Sequence, residues 1–215
     1  MLLAPRSKLL FIGDSITDCE RARPVGEGLF GAIGKSYVGL VEGFLAATHP
    51  GHAIRVVNMG TSGHTVLDLK ARWQTDVLDL KPDWLAIMIG VNDVWRQFDL
   101  PLQTEIHVSP DTYTRALNEL VEASRARIPN IILMTPFYIE PNRADAMRAR
   151  MDEYGAIVKK TAAQHNVRFI DTQAAFDAVL QHMHANAIAW DRVHPNNIGH
   201  AVLARAVLNH LGVSL

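Results

Sequence analysis

Short strand-like runs, rich in apolar residues, alternate along the chain with longer stretches in which apolar residues return every three or four positions. The runs at 9–12, 54–58, 84–89, 131–135 and 167–171 read as strands, since alternation with amphipathic helical stretches is the mark of a parallel sheet covered on both faces. Helical spacing covers about 37–48, 65–80, 111–127, 144–165, 174–183 and 198–211. The alternation predicts an α/β fold with three α/β/α layers around a central five-stranded parallel sheet, on the flavodoxin-like plan. In such open sheets the ligand crevice lies at the carboxyl ends of the strands, beside the switch in strand order. Three polar, glycine-containing segments fall at such ends: Gly13 to Thr17, Gly60 to Thr65 and Gly90 to Asp93.

Composition narrows this picture. The chain has 215 residues, 48% of them hydrophobic, and a formal net charge of -1. No stretch resembles a linker, so a single domain over residues 1–215 is expected. The charge balance lacks the basic excess of a nucleic-acid binder, and no nucleic-acid partner is expected. No apolar run approaches the roughly 20 residues that span a bilayer, and Pro5 and Arg6 interrupt the N-terminal apolar residues before they reach signal-peptide length. A cytoplasmic protein without a membrane partner is therefore expected. One cysteine, Cys19, excludes an internal disulfide. Nothing beside it in sequence activates it as a nucleophile.

Two glycine-rich segments imitate nucleotide sites. Gly26 to Gly31 matches G-x-G-x-x-G, yet it begins well beyond the first strand and is no strand-to-helix turn. Gly34-Lys35-Ser36 resembles the end of a phosphate loop, but Leu29 replaces the glycine required five residues earlier. Both read as a flexible loop near the active site, and no cofactor is implied. His182 and His184 stand two apart in the helical stretch 174–183 and just past it, so they would face different directions, and no metal site is expected.

The remaining motifs suggest ester chemistry. Ser15 follows a strand and Gly13, a context that exposes its hydroxyl and puts its backbone N–H at a helix start. Gly63 supplies a second candidate N–H, and the Asn92 amide a third donor. Asp191 and His194, three residues apart, suit a tight turn in which the carboxylate orients the imidazole toward a serine. Pro195 suits the first turn of the helix that follows. Each segment also has a structural reading: a turn with a helix cap for Gly13 to Ser15, a shaped turn at Gly63, a helix cap at Asn92, and a capped helix start for Asp191 to His194.

Together, and in this order, the four segments resemble the SGNH (GDSL-like) hydrolases. The match is closest in appearance to bacterial intracellular acetylxylan esterases, judging from Phe11 to Cys19, Met88 to Leu100, Met134 to Glu140 and Ala189 to Pro195. The resemblance implies the SGNH hydrolase fold, Ser15 as nucleophile, His194 as general acid/base and Asp191 as its orienter. It also implies an oxyanion hole from the Ser15 and Gly63 amides and Asn92. The implied substrate is a small acetylated saccharide such as an acetylated xylo-oligosaccharide, and relatives suggest a homo-oligomer. His64 departs from the Asn or Asp common after the oxyanion glycine; placed near the rim, it either alters the pocket electrostatics or, the favoured reading, is a solvated loop histidine. Trp190, next to Asp191, walls the acyl pocket, stacks on a sugar, or packs as an ordinary aromatic. Trp95 and Phe98 follow the Asn92 segment and either shape the same substrate entrance or pack in the core or an interface, with packing the favoured reading. A lysophospholipase or thioesterase of the same fold, or a non-catalytic carbohydrate-binding module, remain the alternatives.

Overall fold

The computed structural model describes residues 1–213; the last two residues of the expected 1–215 domain lie outside the described residues. Five strands, β1 (Lys8–Gly13), β2 (Arg55–Asn58), β3 (Trp84–Met88), β4 (Asn130–Met134) and β5 (Arg168–Ile170), form one parallel sheet in the order β2-β1-β3-β4-β5. Leu9, Leu10, Phe11 and Ile12 are all buried. Because successive strand residues point to opposite faces, this requires cover on both sides of the sheet. Each fully buried aliphatic side chain of this kind contributes about 1.5–3 kcal/mol.

Eight α-helices supply the cover: α1 (Ser15–Asp18), α2 (Tyr37–Thr48), α3 (Val66–Ala71), α4 (Val91–Asp99), α5 (Pro110–Arg125), α6 (Ala146–His165), α7 (Thr172–Leu180) and α8 (Asn197–His210). Seven of them fall into two packed groups, α2 with α8 and α7, and α5 with α3 and α6, the last also touching α4, while the short α1 lies against β1. The expected helix over 65–80 is interrupted. After α3 the chain passes into a π-helical turn, Gln74–Leu78, in which Trp73 and Val77 are buried and the Trp73 indole donates to Ser124 Oγ at 3.1 Å. Helix α4 is an addition to the sequence reading. Gly90 starts it at φ 129°, where a Cβ would lie 2.9 Å from Pro136 and 3.0 Å from the Tyr113 hydroxyl, so the turn admits only glycine.

The strand order reverses between β1 and β3, whose carboxyl ends are adjacent in register at Gly13 and Met88. β2, ending at Asn58, lies on the other side of β1. The three segments singled out in the sequence therefore leave neighbouring strands at one rim.

Candidate active site

Ser15 is the first residue of α1. Asp14 caps this short helix, its Oδ1 accepting from the Ile16 N–H at 3.0 Å, and Cys19 closes it in a left-handed conformation, its N–H bonding the Ser15 carbonyl. The Ser15 hydroxyl lies 2.8 Å from His194 Nε2. On the other side of the ring, Nδ1 donates to Asp191 Oδ2 at 2.6 Å. That bond places the ring proton on Nδ1 and leaves Nε2 to accept from the serine.

A local turn produces this alignment. Asp191 Oδ1 accepts from the backbone N–H groups of Val193 and His194, at 2.9 and 2.7 Å, while Arg192 takes φ 62°. Desolvation would raise the Asp191 carboxyl, but the His194 ring and these amides outweigh it and hold it below its ordinary range. The turn is not a helix start. Asn196 caps α8, so Pro195 precedes the cap instead of occupying the first helical turn as expected.

The segment after β2 is tied down residue by residue. Asn58 donates to the carbonyls of Thr17 and Ile33 and accepts from Gly60 N–H. The Thr61 N–H reaches the Gly13 carbonyl at 3.0 Å, Ser62 N–H reaches Asp18 Oδ2 at 2.9 Å, and Val66 N–H reaches Asp93 Oδ1 at 3.0 Å. The Asn92 amide donates to the His64 carbonyl at 3.0 Å. That bond uses one of its two N–H groups. Among the described residues, neither Gly63 N–H nor Ser15 N–H has a hydrogen-bond partner. Gly63 sits at φ 80° with nothing within 4 Å of the position a Cβ would take. The rim thus carries two free backbone N–H groups and half of a side-chain amide beside a serine bonded to an oriented imidazole. Donors so arranged can receive the negative oxygen of a tetrahedral adduct.

His64 is not a free loop histidine: Arg72 Nε donates to its Nδ1 at 3.1 Å. Burial and the Arg72 charge push its pKa down, toward the neutral ring. Trp95 packs edge-on against the His194 ring, with centroids 5.5 Å apart, and Arg96 lies over its indole. Trp190 is 89% exposed, which removes the packed-aromatic reading and leaves it a surface group beside Asp191. Phe98 is also partly exposed.

Arg72, Asp93 and Asp18 were missed in the sequence. Asp93 is the residue after Asn92, and its buried carboxyl is pushed up to about 7 by desolvation, against the bond from Val66 N–H. Burial also raises the Asp14 carboxyl to about 7, partly offset by Ile16 N–H. Burial raises the Cys19 thiol, as do the neighbouring Glu20 and Asp18 charges, the reverse of what a thiolate nucleophile needs. The glycine-rich segment is anchored at its start, where Gly26 and Asn58 exchange backbone hydrogen bonds. His182 and His184 lie beyond the end of α7, His184 capping a short 3-10 turn, so the helical argument about them does not apply. Among the described residues, no three His, Cys, Asp or Glu side chains are grouped to hold a metal ion, and no helix is long and apolar enough to cross a membrane.

Residues 11–202 match the GDSL-like lipase/acylhydrolase family. The chain is 57% identical, over 99% of its own length and 97% of the relative's, to an acetylxylan esterase of Geobacillus stearothermophilus. The crystal structure of Axe2, an acetylxylan esterase from that organism, superposes with a TM-score of 0.98 at 56% identity, covering 100% of this chain and 98% of the other. LAE5, an alpha/beta hydrolase from the metagenome of Lake Arreo, Spain, gives a TM-score of 0.97 at 54% identity, with 99% and 98% covered.

Proposed function

The chain belongs to the GDSL-like lipase/acylhydrolase family and is a carboxylic ester hydrolase, and from that premise we infer that it removes O-acetyl groups from acetylated xylo-oligosaccharides through an acetyl-enzyme. The observation that carries this reading is the hydrogen-bonded series Ser15, His194, Asp191 set beside unused N–H donors. Ser15 Oγ attacks the acetyl carbonyl carbon while His194 Nε2 takes its proton, and Asp191 stabilises the imidazolium. The carbonyl oxygen, now negative, is held by the Ser15 and Gly63 amides and the free N–H of Asn92. One such donor is typically worth about 100- to 1000-fold in rate. As the tetrahedral adduct collapses, the C–O bond to the sugar breaks and His194 protonates the departing alkoxide. Water, deprotonated by the same ring, then attacks the acetyl-enzyme, and acetate leaves as Ser15 regains its proton.

Trp190 and Trp95 are the proposed sugar contacts, Trp190 as an exposed ring on which a pyranose can stack and Trp95 as a wall against His194. The substrate class rests on the acetylxylan esterase relative and on this open, aromatic-flanked rim. We further propose a single domain over residues 1–215, a cytoplasmic location and a homo-oligomer. The lone cysteine supports the location, and the exposed Phe30 and Leu102 support subunit contact. Light scattering behind size exclusion tests the assembly.

The deciding experiment measures acetate released from acetylated xylo-oligosaccharides by the native chain and by Ser15→Ala, beside an ester series of increasing acyl length. The native chain is expected to prefer acetyl steeply, and Ser15→Ala to lose at least about 1000-fold in turnover. Retained turnover in the variant would overturn the nucleophile. A preference for long acyl chains would move the substrate to a lipid or thioester.

A further inference from the structure

Gly63 presents a difficulty for any oxyanion role. It is exposed, takes φ 80°, and has nothing packed where a side chain would be, so packing does not aim its N–H. Its direction depends on the two residues that flank it. On one side Ser62 is held by Asp18 through its N–H and its hydroxyl, at 2.9 and 3.0 Å. On the other side stands His64, whose N–H meets the Thr61 carbonyl at 3.4 Å and whose ring is held by Arg72.

The Arg72 guanidinium bonds in four directions. Nε donates to His64 Nδ1 at 3.1 Å, Nη1 to the Met59 carbonyl and to Asp76 Oδ2, each at 2.7 Å, and Nη2 to the Gly13 carbonyl at 3.0 Å. One planar group therefore joins the exit of β1, two residues before Ser15, to the exit of β2 and to the residue after Gly63. The His64 carbonyl in turn receives the Asn92 amide, whose oxygen accepts from Arg96 Nη2 at 3.2 Å. Moving His64 would shift the neighbour of one donor and release the partner that fixes the rotamer of another. A rigid guanidinium suits this task, since its N–H groups diverge at fixed angles, which an ammonium on a flexible stem cannot reproduce.

We propose that Arg72 and His64 are positioning residues that act as one strut, aligning the Gly63 N–H and the Asn92 amide with the Ser15 N–H. The proposal rests on the reading of those three groups as the oxyanion site. His64 serves as an acceptor at Nδ1, with its ring proton on Nε2, so a side chain offering an oxygen at that point can replace it. Asparagine does so; alanine does not.

The test is made on the full chain, with kcat and KM for an acetylated xylo-oligosaccharide, thermal unfolding, and active sites counted from the p-nitrophenol burst with p-nitrophenyl acetate. His64→Ala is expected to lower kcat per active site about 10- to 100-fold, the scale of an ångström-sized misplacement. KM should stay within about threefold, and the unfolding midpoint should hardly move. His64→Asn should recover most of the lost kcat. Arg72→Lys should resemble His64→Ala, and the double variant should be no worse than the poorer single, because both remove one strut. Should Arg72→Lys fail to fold, the alanine and asparagine variants at 64 decide alone. Full kcat per active site in His64→Ala, or failure of His64→Asn to recover it, overturns the strut. Asn92→Ala run alongside separates the two levels. Its loss of kcat with His64→Ala unimpaired rejects the strut and keeps the oxyanion site, whereas full activity in Asn92→Ala rejects both.

Discussion

Two polar clusters lie on the carboxyl side of the sheet, and they differ in how completely their hydrogen-bonding groups are used. Around Arg148, only 1% exposed, Nε bonds Asp152, Nη1 bonds the Glu140 carbonyl and Asp177, and Nη2 bonds Asp177 again. Gln173 completes the set, donating to Asp177 and accepting from Tyr138 N–H. A cavity of about 270 Å³ opens beside this cluster, lined by Arg143, Lys159 and Asp171 among others. Around Ser15 the reverse holds: two backbone N–H groups and part of the Asn92 amide have no partner among the described residues, and the serine hydroxyl sits at an open rim. Buried charge points to the first cluster, unused donors to the second. Chemistry requires the second kind, because a donor already bonded cannot strengthen its interaction as charge develops on a substrate.

The sharpest way to break this contrast is Asp191→Asn. An amide at that position can present its N–H to the ring and favour the tautomer with its proton on Nε2, which can no longer accept from Ser15. A loss of about 10,000-fold in kcat is expected, with little change in thermal stability because the site is a surface turn. Steady-state acetate release and calorimetry on one preparation check both halves. A collapse of stability would show that the turn belongs to the scaffold.

Arg148→Ala probes the other cluster and should do the opposite. Removing Arg148 from this network leaves the Glu140 carbonyl without its partner and Asp177 with only Gln173 and Arg143, at a cost of about 3 kcal/mol. Urea unfolding should report that loss, while kcat per folded molecule stays within about threefold of the native value. A specific loss of kcat with unchanged stability would mean that the saturated cluster also serves the reaction.

The sequence was informative where chemistry and fold coincide locally. The five strand-like runs became the five strands, the central β1, β3 and β4 because they are short, apolar and buried on both faces and the edge strands β2 and β5 despite the exposed Arg55 and Arg168, and Asp191 and His194 met because their bond closes within one turn. What escaped was set by tertiary contacts. Arg72 sits in a helical stretch, where an arginine ordinarily reads as a solvated face, and its four partners are Gly13 at the end of β1, Met59 and His64 in the segment after β2, and the nearby Asp76. Helix α4 was overlooked although Val91, Val94, Trp95 and Phe98 carry its spacing, since Asn92 and Asp93 drew the segment into a loop motif. The π-helical turn after α3, which follows the buried Trp73 and contains the buried Val77, had no readable signal in the residue pattern. The exposure of Trp190 also lies outside what periodicity can tell.

Two histidines carry the contrast to its smallest scale. His194 is exposed and bonded at both ring nitrogens to the proposed catalytic groups, whereas His200 is 5% exposed and serves the scaffold, its Nδ1 accepting from Tyr37 N–H at 3.2 Å. Burial, and to a smaller extent the nearby His194 charge, lower the His200 pKa from 6.5 to about 4. Between those values the unfolded chain binds a proton that the folded chain refuses. The contribution of His200 is therefore fully present above about pH 6.5 and is lost as pH falls toward 4, by up to about 3 kcal/mol. Asp14 and Asp93, raised to about 7, act with the opposite sign, favouring the folded state as pH falls from about 7 toward 4. The native curve alone thus mixes the three. His200→Asn separates them: an asparagine oxygen can still accept from Tyr37 N–H but does not titrate. Urea unfolding at pH 7 and at pH near 4.5 should show the variant retaining more of its stability on acidification than the native chain does, by about 2 kcal/mol. Parallel losses in the two proteins would mean that His200 is protonated as readily in the fold as outside it, and that burial does not keep this ring neutral.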